Sequence, residues 1–198
     1  MKVPFSPPDI SELEINRGVD GLRSGWITTG PEVKEFERRI AEFIGVDKAV
    51  AFSSATASLE AALHLLGIGE GDEVIVPAYT YTASASPVVH KSAELVIIDS
   101  APEQFEMDYE KVAEAINENT KAIIPVDLGG IVCDYERLFD IVESKKSLFK
   151  PTNKLQAALG RVAVVSDGAH AFGSVKKGVK AGAIADFTSF SFHAVKNL

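Results

Sequence analysis

Lys196 closes the run DFTSFSFHAVK, which opens at Asp186 and reads as an apolar, aromatic strand. A lysine whose stem leaves such surroundings is poorly hydrated, so its pKa should be lowered and its amine competent to form a Schiff base and to move protons. Two other stretches carry residues suited to the same chemistry. In SDGAHAFGS (166–174) the carboxylate of Asp167 emerges from the apolar run VAVVS, with His170 three positions on. A poorly hydrated carboxylate needs a cationic partner. A protonated pyridine nitrogen is one, and the carboxylate would keep it protonated so that the ring can accept electrons from a carbanion. His170 could then bond a hydroxyl on that ring. In SSATASL (53–59) Ser54, Ala55 and Thr56 open a helical pattern and offer backbone N–H groups and hydroxyls to a phosphate. Ser191, on the strand that leads to Lys196, could complete such a cup.

Each residue also has a plainer reading. Ser54 to Thr56 fit an ordinary helix cap, Asp167 a second cap, His170 a packed core imidazole and Lys196 a solvated loop lysine. The run TSFSFHAVKN, however, has no polar turn chemistry before Asn197. The joint reading rests on placement: each group follows a predicted strand, and α/β sheets bind ligands beyond the carboxyl ends of their strands.

The elements that must position these groups alternate along the chain. Residues 1–8 are proline-rich and read as an extended arm. A helix capped by Asp9 or Ser11 then runs to about Gly25, and GWITTGP (25–31) is a loop. Pro31 begins a helix with Val33, Phe36, Ile40 and Phe43 on one face, and Gly45 ends it. Strands are predicted at Lys48–Ser53, Glu73–Val76, Glu94–Ile98, Lys121–Val126, Val162–Val165 and Phe187–Phe192. Helices are predicted at Ala55–Leu66, Thr82–Lys91, from an Asp108 cap to Asn117, and at Tyr135–Lys145. Six β-rich runs separated by helices imply an α/β fold, a three-layer α/β/α sandwich with a mostly parallel sheet. The irregular piece is KSLFKPTNKLQAALGR (146–161), read as a surface elaboration containing a short helix, with a subunit or substrate contact as the alternative.

Composition narrows the function classes. With 46% hydrophobic residues in a chain of 198, an ordinary globular core can be buried. The net charge of -8 is spread along the chain and argues against nucleic acid or an anionic membrane as partner. Cys133 is the single cysteine, which excludes a disulfide framework and a thiolate metal site and fits a reducing compartment. The N-terminal residues lack the pattern of a signal peptide and no apolar run reaches membrane-spanning length, so a cytoplasmic protein is expected.

The pieces SGWITTGPEVKEFE (24–37), SSATASL (53–59), GEGDEVIVPAYTYTAS (69–84), TKAIIPVDLGG (120–130), SDGAHAFGS (166–174) and SFSFHAVKNL (189–198) resemble the PLP-dependent sugar aminotransferases called the DegT/DnrJ/StrS family. The resemblance covers almost the whole chain and implies the aspartate aminotransferase type of fold, with pyridoxal 5'-phosphate as cofactor. It makes Lys196 the Schiff-base lysine and Asp167 the partner of the pyridine nitrogen. It places His170 beside the ring hydroxyl, Ala55, Thr56 and Ser191 at the phosphate, and Tyr81 on the face of the ring. Without it Tyr81 would be a half-buried aromatic at a helix start. The implied reaction moves an amino group from an amino acid, commonly glutamate, to a keto sugar on a nucleotide, in a homodimer whose sites lie at the subunit interface. The implied division is an N-terminal arm and helix over 1–30 and a cofactor-binding large domain over 31–198.

Ser166 and Asp127 depart from the glutamate and histidine frequent at those places in the family, which puts the sugar in doubt. The family's antiparallel strand after the lysine and its C-terminal small domain are not in the sequence, so an N-terminal fragment is expected, and a non-catalytic PLP-binding remnant is the alternative function. Family dehydratases carry histidine in place of the lysine, so Lys196 speaks against them. The glycines of 67–71 precede their strand, which speaks against a dinucleotide site.

Overall fold

The computed structural model describes residues 8–196, so the expected arm falls outside the described residues but for Pro8, as do Asn197 and Leu198. Helix α1 (Glu12–Arg23) starts at a capping box in which Ser11 Oγ accepts from Leu13 N–H while the Glu14 carboxylate accepts from Ser11 N–H at 2.7 Å. Helix α2 (Pro31–Ile44) begins on its proline and stops where Gly45 turns to φ 89°. Then follow α3 (Ala55–Leu65), β1 (Glu73–Pro77), α4 (Thr82–His90), β2 (Glu94–Ile98), α5 (Tyr109–Ala115) and β3 (Thr120–Ile123). The chain continues through α6 (Tyr135–Ser144), α7 (Lys154–Leu159), β4 (Ala163–Asp167), β5 (Val175–Lys176), β6 (Val179–Lys180) and β7 (Phe187–Ser189).

The five-stranded sheet has the order β2-β1-β3-β4-β7 and every pair in it is parallel. Strand residues alternate between two cores. Val74, Val76, Ala122, Ile124, Ala163 and Val165 pack with Leu59, Leu63 and Leu66 of the α3 region and Val88 of α4. Ile75, Ile123 and Val164 face the other way, against Val112 of α5 and Leu138 and Val142 of α6. These two layers make the three-layer α/β/α sandwich and leave the carboxyl ends of the strands open at one rim.

Four expectations need correction. Lys48–Ser53 forms no strand. No strand lies beside it among the described residues, Ala51 N–H donates instead to Glu37 Oε1 at 2.8 Å, and Val50 and Phe52 are exposed. Its composition favours a strand, but a strand exists only where another backbone pairs with it. The run from Asp186 is sheet for three residues only, because β4 ends where Asp167 faces Ser189. Phe190 and Phe192 then leave the sheet to pack edge-on against Phe172. Strand β3 is shorter than predicted, with Val126 joined only by an isolated bridge to Asp167. The segment 146–161 is more than surface decoration: Phe149 and Gln156 are buried, and Gln156 Nε2 and Asn153 Nδ2 each donate at 2.7 Å to Leu66 O at the end of α3. The hairpin β5–β6 was not predicted, although its turn at Lys177 and Gly178, both at positive φ, lies between two Val-Lys pairs.

Candidate active site

Asp167 is the last residue of β4 and is 6% exposed. Its backbone is fixed on both sides by the extension of β3: Asp167 N–H donates to Pro125 O at 2.8 Å, and Asp127 N–H donates to Asp167 O at 3.0 Å. Its side chain is fixed as firmly. Oδ2 accepts from Ser84 Oγ at 2.6 Å and Oδ1 from Ala169 N–H at 3.1 Å. Gly168 follows it because the chain passes close to β7; a Cβ there would come within 3.0 Å of Thr188 and 3.1 Å of the Phe190 ring.

The turn after β4 carries His170, and a one-turn 3-10 helix after β3 (Leu128–Gly130) lies against it, Gly129 N–H donating to His170 Nδ1 at 3.2 Å. His170 Nε2 is 2.7 Å from Lys196 Nζ. Burial and the neighbouring Lys196 hold the imidazole below its ordinary pKa, with Asp167 opposing them. Among the described residues Phe192 to Val195 are all exposed, so they do not bury the Lys196 stem as expected. Its amine is half-buried against His170 instead, in a turn closed by Lys196 N–H and His193 O at 2.8 Å.

The third group is the N-terminus of α3. Ser54 caps it, its Oγ accepting from Ala57 N–H, while Ser58 N–H bonds Ser54 O. The donors that helix geometry leaves to face outward are those of Ala55 and Thr56. This end is tied to the end of β7: Ser189 Oγ donates to Ala55 O at 2.9 Å and lies 2.5 Å from Ser58 Oγ. Asp167 and Ser189 are cross-strand partners, so carboxylate and helix end share one rim. Ser191 lies past the strand rather than on it, and its Oγ accepts from His193 N–H at 3.4 Å. Tyr81 is the N-cap residue of α4 and is 78% exposed.

The structure therefore brings Asp167, His170 and Lys196 together and sets Ala55 and Thr56 on the same rim. The residues not foreseen are Ser84, Ser189, Ser58 and Gly129. Ser84 had a signal in TYTAS, a hydroxyl in the first turn of a helix that follows a strand. Among the described residues no cluster of three or more His, Cys, Asp or Glu is placed to hold a metal ion, and no helix is long and apolar enough to cross a membrane.

The sequence model of the DegT/DnrJ/EryC1/StrS aminotransferase family matches residues 8–198. The chain belongs to this family. It is 37% identical over 196 residues to the spore coat polysaccharide biosynthesis protein SpsC of Bacillus subtilis, covering 99% of the chain and 46% of SpsC. It is 36% identical, with 99% and 46% covered, to the UDP-4-amino-4-deoxy-L-arabinose–oxoglutarate aminotransferase of Shewanella sediminis. Spr1654 of Streptococcus pneumoniae in its PLP form superposes with a TM-score of 0.99 at 57% identity, over all of this chain and 50% of that one, and its PMP form with 0.98. The chain thus spans about half the length of the relatives it matches.

The cofactor of this DegT-family fold is pyridoxal 5'-phosphate, and the donor set suits it. A buried carboxylate with both oxygens already oriented is a partner for a cationic ring nitrogen. An amine beside an imidazole suits the aldehyde, and outward N–H groups on an eleven-residue helix suit a phosphate dianion.

Proposed function

We propose that this chain is the cofactor-binding part, residues 31–198 with an N-terminal arm and helix at 1–30, of a PLP-dependent sugar aminotransferase. It moves an amino group from an amino acid, glutamate by preference, to the keto group of a nucleotide-linked sugar, in polysaccharide or secondary-metabolite synthesis. It works in the cytoplasm as a homodimer. The observation that carries the reading is the placement of the Lys196 amine 2.7 Å from His170, which itself lies in the turn that follows the buried Asp167. The names of the relatives, one in polysaccharide synthesis and one a UDP-sugar aminotransferase, support the substrate class.

The residues divide the work. Asp167 holds a proton on the ring nitrogen. Ala55 and Thr56 hold the phosphate with backbone N–H groups, Ser191 adds a hydroxyl, and Tyr81 covers one face of the ring. His170 stands beside the ring hydroxyl. When bound, the cofactor supplies an electron-poor ring that stabilises negative charge on the substrate carbon. Lys196 Nζ takes the proton from the carbon that carries the departing amine, and later returns one to the former keto carbon of the acceptor.

The purified chain, incubated with pyridoxal phosphate, reduced with borohydride and digested, should carry the label on the Lys196 peptide and lose it in Lys196→Ala. Label on another lysine, or none in the wild type, would overturn the reading.

A further inference from the structure

Two hydroxyls converge on one carbonyl at the head of α3. Ala55 O lies 2.8 Å from Ser58 Oγ and 2.9 Å from Ser189 Oγ, and the two hydroxyl oxygens are 2.5 Å apart. A helix carbonyl is ordinarily served by the N–H four residues on; this one is reached by two side chains, one of them from β7. Hydrogen counting orders the triangle. At 2.5 Å the two serine oxygens share a hydrogen, and each hydroxyl has one to give. One serine therefore donates to the other, and the second donates to Ala55 O. In either direction Ser189 ties the carbonyl to β7. Ser189 is buried and Ser58 half-buried, which shields the triangle from competing water.

The pinned carbonyl is one half of a peptide unit whose other half is Thr56 N–H. In a planar trans peptide the C=O and N–H point opposite ways, so holding Ala55 O fixes the direction of Thr56 N–H, an outward donor of this helix end. The far end of the pin is fixed as well. Ser189 faces Asp167 across the β4–β7 pair, and its own carbonyl accepts from Gly168 N–H at 2.8 Å. One residue thus meets the Asp167 strand through its backbone and the helix head through its side chain.

We propose that Ser189 is a positioning residue for the cofactor phosphate: through Ala55 O it aims Thr56 N–H and holds the head of α3 at a set distance from Asp167. This rests on the reading of Ala55 and Thr56 as the phosphate donors and adds to it what keeps them in place. Pyridoxal 5'-phosphate carries its ring nitrogen and its phosphate at a separation fixed by its own bonds. Two anchors serve it together only when the protein holds the matching separation. Ser189 and Ser58 give no hydrogen to the cofactor in this role, because both hydrogens are committed within the triangle.

The phosphate can be left off the probe. Absorbance titrations give the dissociation constants of pyridoxal 5'-phosphate and of pyridoxal for the wild-type chain and for Ser189→Ala, and the ratio of the two constants isolates the phosphate. A variant that only folds less well weakens both probes alike and leaves the ratio where it was. Ser189→Ala should weaken pyridoxal 5'-phosphate about tenfold, the worth of one hydrogen bond, and leave pyridoxal within about twofold. Where Ser189→Ala does not fold, Ser58→Ala tests the triangle from the helix side: it should move the ratio in the same sense, and an unchanged ratio overturns the proposal. Equal weakening of both probes by Ser189→Ala, or of neither, with the wild type preferring pyridoxal 5'-phosphate, would overturn the role of Ser189 alone. A wild type that binds the two probes equally would overturn the phosphate reading and this proposal with it.

Discussion

Ser84 Oγ and Asp167 Oδ2 stand 2.6 Å apart and 83 positions apart in sequence, both buried. The single hydroxyl hydrogen of Ser84 is spent on the carboxylate. Thr80 Oγ1, 2.7 Å from Ser84 Oγ, must therefore donate into it, and a relay runs from the start of α4 to the end of β4. Ser84→Ala removes one donor from a buried carboxylate at a cost of about 1.5–3 kcal/mol. For a chain of this size that lowers the melting temperature by roughly 2–4 °C per kcal/mol. Calorimetry reads it, and an unchanged transition contradicts the relay.

Asp186, just ahead of β7, makes a two-pronged pair with Arg161 at 2.8 Å on each prong and accepts from Val164 N–H at 2.8 Å. The Arg161 guanidinium also lies over the Phe139 ring. Both side chains are less than 15% exposed, so Asp186→Ala leaves a poorly hydrated guanidinium with the longer Glu143 contact at 3.5 Å and Val162 O at 3.1 Å. The expected loss is about 1.5–3 kcal/mol, the worth of hydrogen bonds to a charged group, and Asp186→Ala with Arg161→Met should recover part of it. Urea midpoints of the single and double variants decide between this and a surface pair, for which the single variant would cost under about 1 kcal/mol.

Gln156 bonds in both directions from a buried position. It donates to Leu66 O and accepts from Thr152 N–H at 2.9 Å and Thr152 Oγ1 at 3.2 Å. Gln156→Leu keeps the apolar contact and removes all three bonds, at about 1–3 kcal/mol. Amide exchange should quicken across 150–160 while β1, β3 and β4 keep their protection. Uniform protection would mean that α7 is held by packing alone.

Asp127 is buried, with Cys133 N–H at 2.9 Å, Ser166 Oγ at 3.1 Å and Tyr135 OH at 3.1 Å from both its oxygens. Burial raises its pKa above the ordinary 3.8 against the pull of those donors. A carboxyl with a raised folded pKa binds its proton more tightly when folded. Its contribution to stability is therefore complete below the unfolded value and is lost as the pH climbs through the folded one. Asp127→Asn does not titrate. The stability gap between wild type and variant should move in favour of Asp127→Asn as the pH rises above about 3.9 and then level off. A gap independent of pH would refute the shift.

The helices were readable because each carries its own start or stop: Ser11 with Glu14, Pro31 with Gly45, Asp108 before Tyr109. Strands β1 and β2 were readable as short apolar runs between turns. Lys48–Ser53 has the same look, and what it lacks is a neighbour, which no local pattern records. The site followed the same division. Asp167, His170 and Lys196 are conspicuous by type and by their place after strands. Ser84 and Ser189 were passed over because a serine becomes informative only when its hydroxyl is seen to reach a residue far along the chain. The exposure of Phe192 to Val195 departs from expectation for a related reason: apolarity states a preference for burial and does not name what would do the burying.

The first turn of α3 is tied to the end of β7 through Ser58 and Ser189, which are 131 positions apart. Contacts of that span are late events, since the loop-closure entropy must be met before they return any stability. During synthesis, then, α3 can form before the contact that ties it to β7. The rim shared by α3, β4 and β7 is whole only once β7 has docked. A contact between two serines thus sets when that rim can exist at all.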